Sequence, residues 1–264
     1  MKVVATDFDR TLAWDHGELQ SRTIDVLGRV EAAGIRVIVV TGRMVRSVRR
    51  ALEPAALGEP VISYQGAVVA DADGNWLRHE PIPLELARET IAVLADEGYF
   101  PNVYVDDELF VAEETGEARR YAELNHVGFT VVGDLVEWLS TAPTKLVAVG
   151  DPDALDELEP RMKERFGARL YISKSLPYFL EFAQAGVTKA AGLDFLAEHL
   201  GFTPEQTVCF GDGENDVELV DWGGFGVAVA NAHDRVKAVA DWVCPSAEEQ
   251  GVAQVLEAYL DSLA

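Results

Sequence analysis

The chain has 264 residues, 48% of them hydrophobic, and a formal net charge of −23 at pH 7, so it can bury a sizeable core in one large or two modest domains. That charge argues against nucleic acid or an anionic membrane as partner, since either surface would repel it. No apolar run approaches membrane-spanning length, and the first strand begins at Lys2 with no room for a signal peptide; a cytoplasmic location is expected.

Val3-Val4-Ala5-Thr6 reads as a short buried strand, and Asp7 and Asp9 leave its end together. Residues two apart in extended chain share a face, so the carboxylates converge if that geometry persists through Phe8. Like charges held so close call for a divalent metal, a phosphorylated substrate, or both. Two other Asp-x-Asp triplets carry no such implication. Asp71 to Asn75 reads as a hairpin turn, and as a calcium loop it fails because Trp76 and Ile82 stand where Gly and Glu are needed. Asp151-Pro152-Asp153 reads as the start of a helix.

The strand Ile35 to Val40 ends in Thr41-Gly42-Arg43, before a helix beginning near Met44. A hydroxyl there suits a phosphate oxygen at a helix N-terminus, or is an ordinary N-cap. Arg43, Arg46 and Arg50 recur at helical spacing and read as a solvated stripe, with Arg43 the candidate substrate contact. Lys189 opens a helix patterned by Leu193, Leu196 and Leu200, and is either a solvated first-turn residue or a charge directed at an anion. Thr207 to Phe210 is followed by Gly211-Asp212-Gly213-Glu214-Asn215-Asp216, two glycines flanking an acid at a strand end.

Strands alternate with helices over residues 1 to about 82 and about 184 to 264, predicting a parallel sheet covered by helices on both faces, with the chemistry at the C-terminal strand ends. About 83 to 183 reads as an inserted α+β module, with strands at Asn102 to Val105, Leu109 to Ala112, Lys145 to Val149, Leu170 to Ser173 and Tyr178 to Phe182, and helices from about Leu84 and Gly116. Pro160, inside the helical stretch Ala154 to Phe166, predicts a break or kink. Cys209 and Cys244 are expected to be reduced and buried. His16, His79, His126, His199 and His233 are scattered and form no metal-binding pair.

Asp7-x-Asp9-x-Thr11, Thr41-Gly42-Arg43, Lys189 and Gly211-Asp212-Gly213-x-Asn215-Asp216, in this order, resemble the haloacid dehalogenase superfamily of phosphatases. Ser175 to Lys189 and Thr144 to Val147 resemble its Cof-type branch. The resemblance implies an α/β fold: a Rossmann-like core from residues 1–82 and 184–264, and an inserted cap, 83–183, that closes over the site and selects the substrate. It implies a phosphatase acting on small phosphomonoesters such as sugar or cofactor phosphates, as a monomer or small homo-oligomer. Asp7 would be the nucleophile and form an aspartyl phosphate, with Asp9 the acid and base. Magnesium would be held by Asp7, the Asp9 carbonyl and Asp212. Thr41, Gly42, Lys189 and Asn215 would bind phosphate, and Asp216 would orient Lys189 or a metal-bound water. A phosphotransferase or mutase, and a non-catalytic sugar-phosphate sensor, are the alternatives.

Two positions depart from the family pattern. Arg10 stands where Gly is usual and either supplies positive charge near the carboxylates or pairs with a surface acid, the second being expected. Gln65-Gly66 replaces the usual Asn-Gly, leaving the substrate-side contacts there open. Tyr104, Tyr178 and Ser175 are candidate cap contacts, although aromatics on strands more often pack in cores.

Overall fold

A computed structural model of the protein describes residues 1–14, 17–125 and 127–263. The chain runs β1 (Val3–Thr6), α1 (Ser21–Ala32), β2 (Arg36–Val39), α2 (Val45–Leu52), β3 (Val61–Ser63), β4 (Val68–Ala70) and β5 (Trp76–His79). It continues through α3 (Leu84–Asp96), β6 (Asn102–Val105), β7 (Glu108–Val111), α4 (Gly116–Asn125), β8 (Thr130–Val131), α5 (Leu135–Trp138), β9 (Lys145–Val149), α6 (Pro152–Phe166), β10 (Leu170–Leu176) and β11 (Phe179–Gln184). Then follow α7 (Lys189–Leu200), β12 (Thr207–Gly211), α8 (Val217–Trp222), β13 (Phe225–Val229), α9 (Asp234–Val239), β14 (Trp242–Cys244) and α10 (Gly251–Asp261). These elements separate into two compact units, one of Met1–Arg78 with Thr188–Ala264 and one of His79–Val187.

In the first unit, β14-β13-β12-β1-β2 form a parallel sheet. Its strands are apolar on both faces, as a covered parallel sheet requires. Val3, Ala5, Ile38 and Val40 pack with Leu193 and Leu196 of α7 and Leu219 of α8, while Val4, Val37 and Val39, which alternate with them, are equally buried. The register pairs Thr6 with both Val39 and Phe210. The ends of β1, β2 and β12 are therefore level, and the residues that follow them emerge at one sheet edge. A second sheet, β3-β4-β5, joins this edge through a parallel bridge between Val40 and Ile62. Its hairpin turn is the Asp71 triplet, whose carboxylate accepts from the Asp73 and Asn75 amides.

In the second unit, the sheet β10-β11-β9-β6-β7-β8 is antiparallel except for the β7 and β8 pair. One face packs Val103, Leu146, Leu180 and Phe182 against α3 and α6. Asp151 caps α6, with Pro152 in its first turn. Of the break or kink expected at Pro160, the break does not occur: α6 runs as one helix from Pro152 to Phe166. Leu155 and Leu158 before the proline, and Met162 and Phe166 after it, are all buried in one core, so packing on both sides keeps the helix continuous despite the missing amide donor. β8 and α5, of two and four residues, are too short to give a periodic signal. Tyr104 is buried and its hydroxyl donates to Tyr121 at 2.5 Å, and Tyr178 packs edge-on to Phe179. The Ser175 side chain, His16 and His126 lie outside the described residues.

Candidate active site

Beyond the ends of β1 and β12 and at the start of α7, three carboxylates surround one ammonium. Thr188 caps α7, its hydroxyl accepting from the Ala191 amide, which places Lys189 at the first helical position with its side chain turned inward. Lys189 is 2% exposed, so the solvated first-turn reading is excluded. Its Nζ donates to Asp7 Oδ1 at 2.5 Å and to Asp216 Oδ1 at 2.6 Å. The other oxygen of Asp216 accepts from the Asp212 and Gly213 amides at 3.0 and 2.9 Å. Asp216 thus both caps the helical turn at Glu214–Asp216 and fixes Lys189.

Asp212 closes the cluster. Its Oδ1 accepts from the Thr11 hydroxyl at 3.1 Å, and carboxylate oxygens of Asp7, Asp212 and Asp216 lie within 4.8 Å of one another. Burial, then the neighbouring Asp216, raises the Asp212 carboxyl to about 6. Asp7 is raised well above the ordinary carboxylate range by burial and by Asp216, with Lys189 opposing. For Lys189, burial disfavours the charge, but Asp216 and Asp7 outweigh it and the ammonium is held more firmly than in a free lysine. Three buried acids facing one buried base leave an excess of negative charge, the condition under which a hard divalent cation binds to oxygen donors.

The other expected residues gather at the same edge. Thr41 is buried, but it does not cap α2, whose N-cap is Met44; its hydroxyl accepts from the Arg43 amide at 3.2 Å. Asn215 donates from Nδ2 to Gln65 Oε1 at 2.9 Å. Asp9 is half exposed and is forked by Arg43, Nε to Oδ2 at 2.8 Å and Nη2 to Oδ1 at 2.6 Å, with the guanidinium lying over the Phe8 ring. Arg43, the candidate substrate contact, is thus engaged by the second aspartate. Arg46 and Arg50 are exposed.

Among the described residues, the acid beside Arg10 is one of the cluster, not a surface acid. The Arg10 Nε lies 3.9 Å from Asp212 Oδ2, so its charge is added to the cluster. It also takes the left-handed conformation, φ 61, that a Gly would adopt more readily, at a strain of about 1–2 kcal/mol. Asn231 holds the turn by donating to the Arg10 carbonyl at 2.8 Å. Cys209 and Cys244 are free and buried, and burial pushes both thiols up, Cys244 to about 11. His79 bonds Thr144, His199 stacks on Phe195, and His233 lies 3.2 Å from Glu214.

The chain has relatives along its whole length. It is 27% identical to 5-amino-6-(5-phospho-D-ribitylamino)uracil phosphatase YitU of Bacillus subtilis, covering 97% of each chain. It is 26% identical to the HMP-PP phosphatase of Escherichia fergusonii, covering 99% of this chain and 96% of that one. Its fold matches a haloacid dehalogenase-like hydrolase from Bacteroides thetaiotaomicron with a TM-score of 0.89 at 26% identity, over 98% and 99% of the two chains. A Thermotoga maritima X-ray structure matches with a TM-score of 0.86 at 30% identity, over 97% and 96%. A family model described as haloacid dehalogenase-like hydrolase matches residues 4–256, and this chain belongs to that family.

Proposed function

We propose that the protein is a magnesium-dependent phosphatase that hydrolyses small phosphomonoesters, sugar or cofactor phosphates, through an aspartyl phosphate on Asp7. The observation that carries this reading is the buried Asp7, Lys189 and Asp216 relay with Asp212 beside it. Relatives named as phosphatases of phosphorylated metabolites support it. The donor set is all oxygen and fits magnesium. Asp7, Asp212 and the Asp9 carbonyl would hold it, because both Asp216 oxygens are already engaged. Bound there, the ion supplies positive charge to the carboxylates and the transferring phosphoryl group.

Asp7 attacks phosphorus and the bond to the leaving oxygen breaks, while Asp9 gives that oxygen its proton. Asp9 then takes a proton from the water whose oxygen attacks the phosphoryl group, releasing inorganic phosphate and restoring the Asp7 carboxylate. The Arg43 fork holds both Asp9 oxygens, so donation requires one of these bonds to open. Lys189 keeps its charge and stabilises the phosphoryl oxygens, with Asp216 fixing its position. Thr41, Gly42 and Asn215 hold the remaining oxygens. The inserted unit, His79–Val187, selects among esters, and the protein works in the cytoplasm as a monomer or small oligomer, with no nucleic acid or membrane as partner. No helix among the described residues is long and apolar enough to cross a membrane.

Phosphate release from a panel of sugar, nucleotide and cofactor phosphates, with and without magnesium, tests this reading on wild type and Asp7→Asn. Release that needs magnesium and vanishes in Asp7→Asn is expected. Transfer of phosphate to a sugar hydroxyl, or silence towards every ester, would refute hydrolysis.

A further inference from the structure

Residue 65 has an unusual backbone setting. Tyr64, Gln65 and Gly66 have φ of 52°, 60° and 103°, three successive residues in the left-handed region that side chains other than Asn and Asp avoid. A glutamine is an expensive choice at such a position, since asparagine adopts it several-fold more readily. Yet Gln65 is 3% exposed and closely tied in. Its amide donates to the Thr41 carbonyl at 3.0 Å, and the Tyr64 amide donates to the Arg43 carbonyl at 3.0 Å. A Cβ on Gly66 would stand 2.1 Å from the Thr188 carbonyl, so the turn lies directly against the cap of α7, one residue before Lys189.

The side chain of Gln65 spans the two phosphate-side elements. Its Nε2 lies over Gly42, where a Cβ would come within 2.5 Å, and its Oε1 accepts from Asn215 at 2.9 Å. A primary amide has two N–H donors. With one of them fixed on Gln65, the plane of the Asn215 amide is set and the direction of the second is determined. An asparagine at 65 is one methylene shorter and does not reach Asn215 from the same backbone.

We infer that Gln65 is a positioning residue for phosphate: its side chain orients the Asn215 amide against the Gly42 loop, and the left-handed backbone is retained for that reach. The inference rests on the proposed phosphate site. It makes affinity and stability move apart, which a residue that only fills space would not do. In Gln65→Asn the backbone is relieved and the melting temperature does not fall. Inorganic phosphate binding weakens about five- to tenfold, the size of one lost hydrogen bond. Gln65→Met, which keeps the length but has no carbonyl acceptor, weakens phosphate to a similar extent.

The test is inorganic phosphate binding to the full chain with magnesium, by calorimetry, for wild type, Gln65→Asn, Gln65→Met, Asn215→Ala and Gln65→Met with Asn215→Ala, alongside their melting temperatures. The double variant is expected to bind no more weakly than Asn215→Ala alone, because the two residues act as one unit. Unchanged phosphate affinity in both Gln65 variants, or losses that multiply in the double variant, would overturn the inference while wild-type phosphate release leaves the phosphatase reading standing. Phosphate binding that weakens as expected in a protein that releases none would uphold the inference and refute that reading. A wild type that does not bind phosphate overturns both.

Discussion

The charge imbalance around Asp212 has a measurable effect on folding. An aspartate free in solution titrates near 3.8, and here burial and Asp216 hold the Asp212 carboxyl at about 6. In the metal-free protein this shift destabilises the fold by on the order of 3 kcal/mol once the group is fully ionised. The sign follows from the raised folded value: the stabilising contribution is complete below about 3.8 and is lost as pH rises through about 6. In Asp212→Asn the carboxyl is gone while the Oδ1 acceptor for Thr11 is retained. Without metal at pH 8, Asp212→Asn should therefore be the more stable chain by about 2–3 kcal/mol, and the gap should close between pH 6 and 4. Magnesium should reverse the order. A ligand at about a thousandfold its dissociation constant adds about 4.1 kcal/mol to wild type and little to a variant missing one of its carboxylates. Denaturant unfolding in chelator and in excess magnesium, from pH 4 to 8, reads all three effects. A variant less stable than wild type at pH 8 in chelator, or a gap that does not change with pH, would refute the reasoning.

Lys189→Met should leave Asp7 and Asp216 facing each other without their shared donor, lowering stability at pH 7 by about 3–5 kcal/mol and abolishing phosphate release; thermal unfolding and the ester panel check both, and a stable variant would mean that water readily replaces the ammonium. In the second unit, the buried Lys145 and Glu181 pair, 3.2 Å apart, gives a contrasting case. Lys145→Met alone should destabilise by about 3 kcal/mol or more, whereas Lys145→Met with Glu181→Leu should recover most of that loss, since removing both charges leaves none buried unpaired. Urea unfolding of the single and double variants distinguishes this from simple packing loss, in which the two substitutions would add.

What the sequence made legible follows strand ends. Asp7, Thr41 and Asp212 could be placed together because each follows an apolar run short enough to be one buried strand, and parallel strands in register bring such ends to one edge. Lys189 was legible as a residue but not in its environment: its helical pattern fits a solvated lysine equally well, and only the packing of α7 buries it. The ion pair of Asp9 with Arg43, the approach of Arg10 to Asp212 and the bond from Asn215 to Gln65 join residues 34, 202 and 150 positions apart. No periodicity encodes them. Gln65 was the hardest to read. Left-handed residues are foreseen from Gly, Asn and Asp, and a glutamine in that conformation gives no local sign of the turn. At Pro160 a strong local signal for a break was overridden by a core that grips α6 on both sides of it.

The excess negative charge at the sheet edge explains why stability and chemistry pull against each other here. Were the cluster neutral, with a second base beside Lys189, the metal-free fold would be more stable, but the carboxylates would have less need of a cation. Arg10 shows how far compensation is carried. Its guanidinium lies 3.9 Å from Asp212 and is half exposed, so water screens it and it relieves the cluster without satisfying it. A fully buried arginine at the same place would pair Asp212 outright and compete with the metal. The left-handed turn that aims Arg10 from the rim, at a strain of about 1–2 kcal/mol, is therefore matched to a partial role. Arg10→Gly should relieve that strain and tighten magnesium binding, because the carboxylates lose a competing positive charge. Titration of magnesium by calorimetry checks this, and weaker binding in the glycine variant would show that Arg10 instead holds Asp212 in the orientation the metal requires.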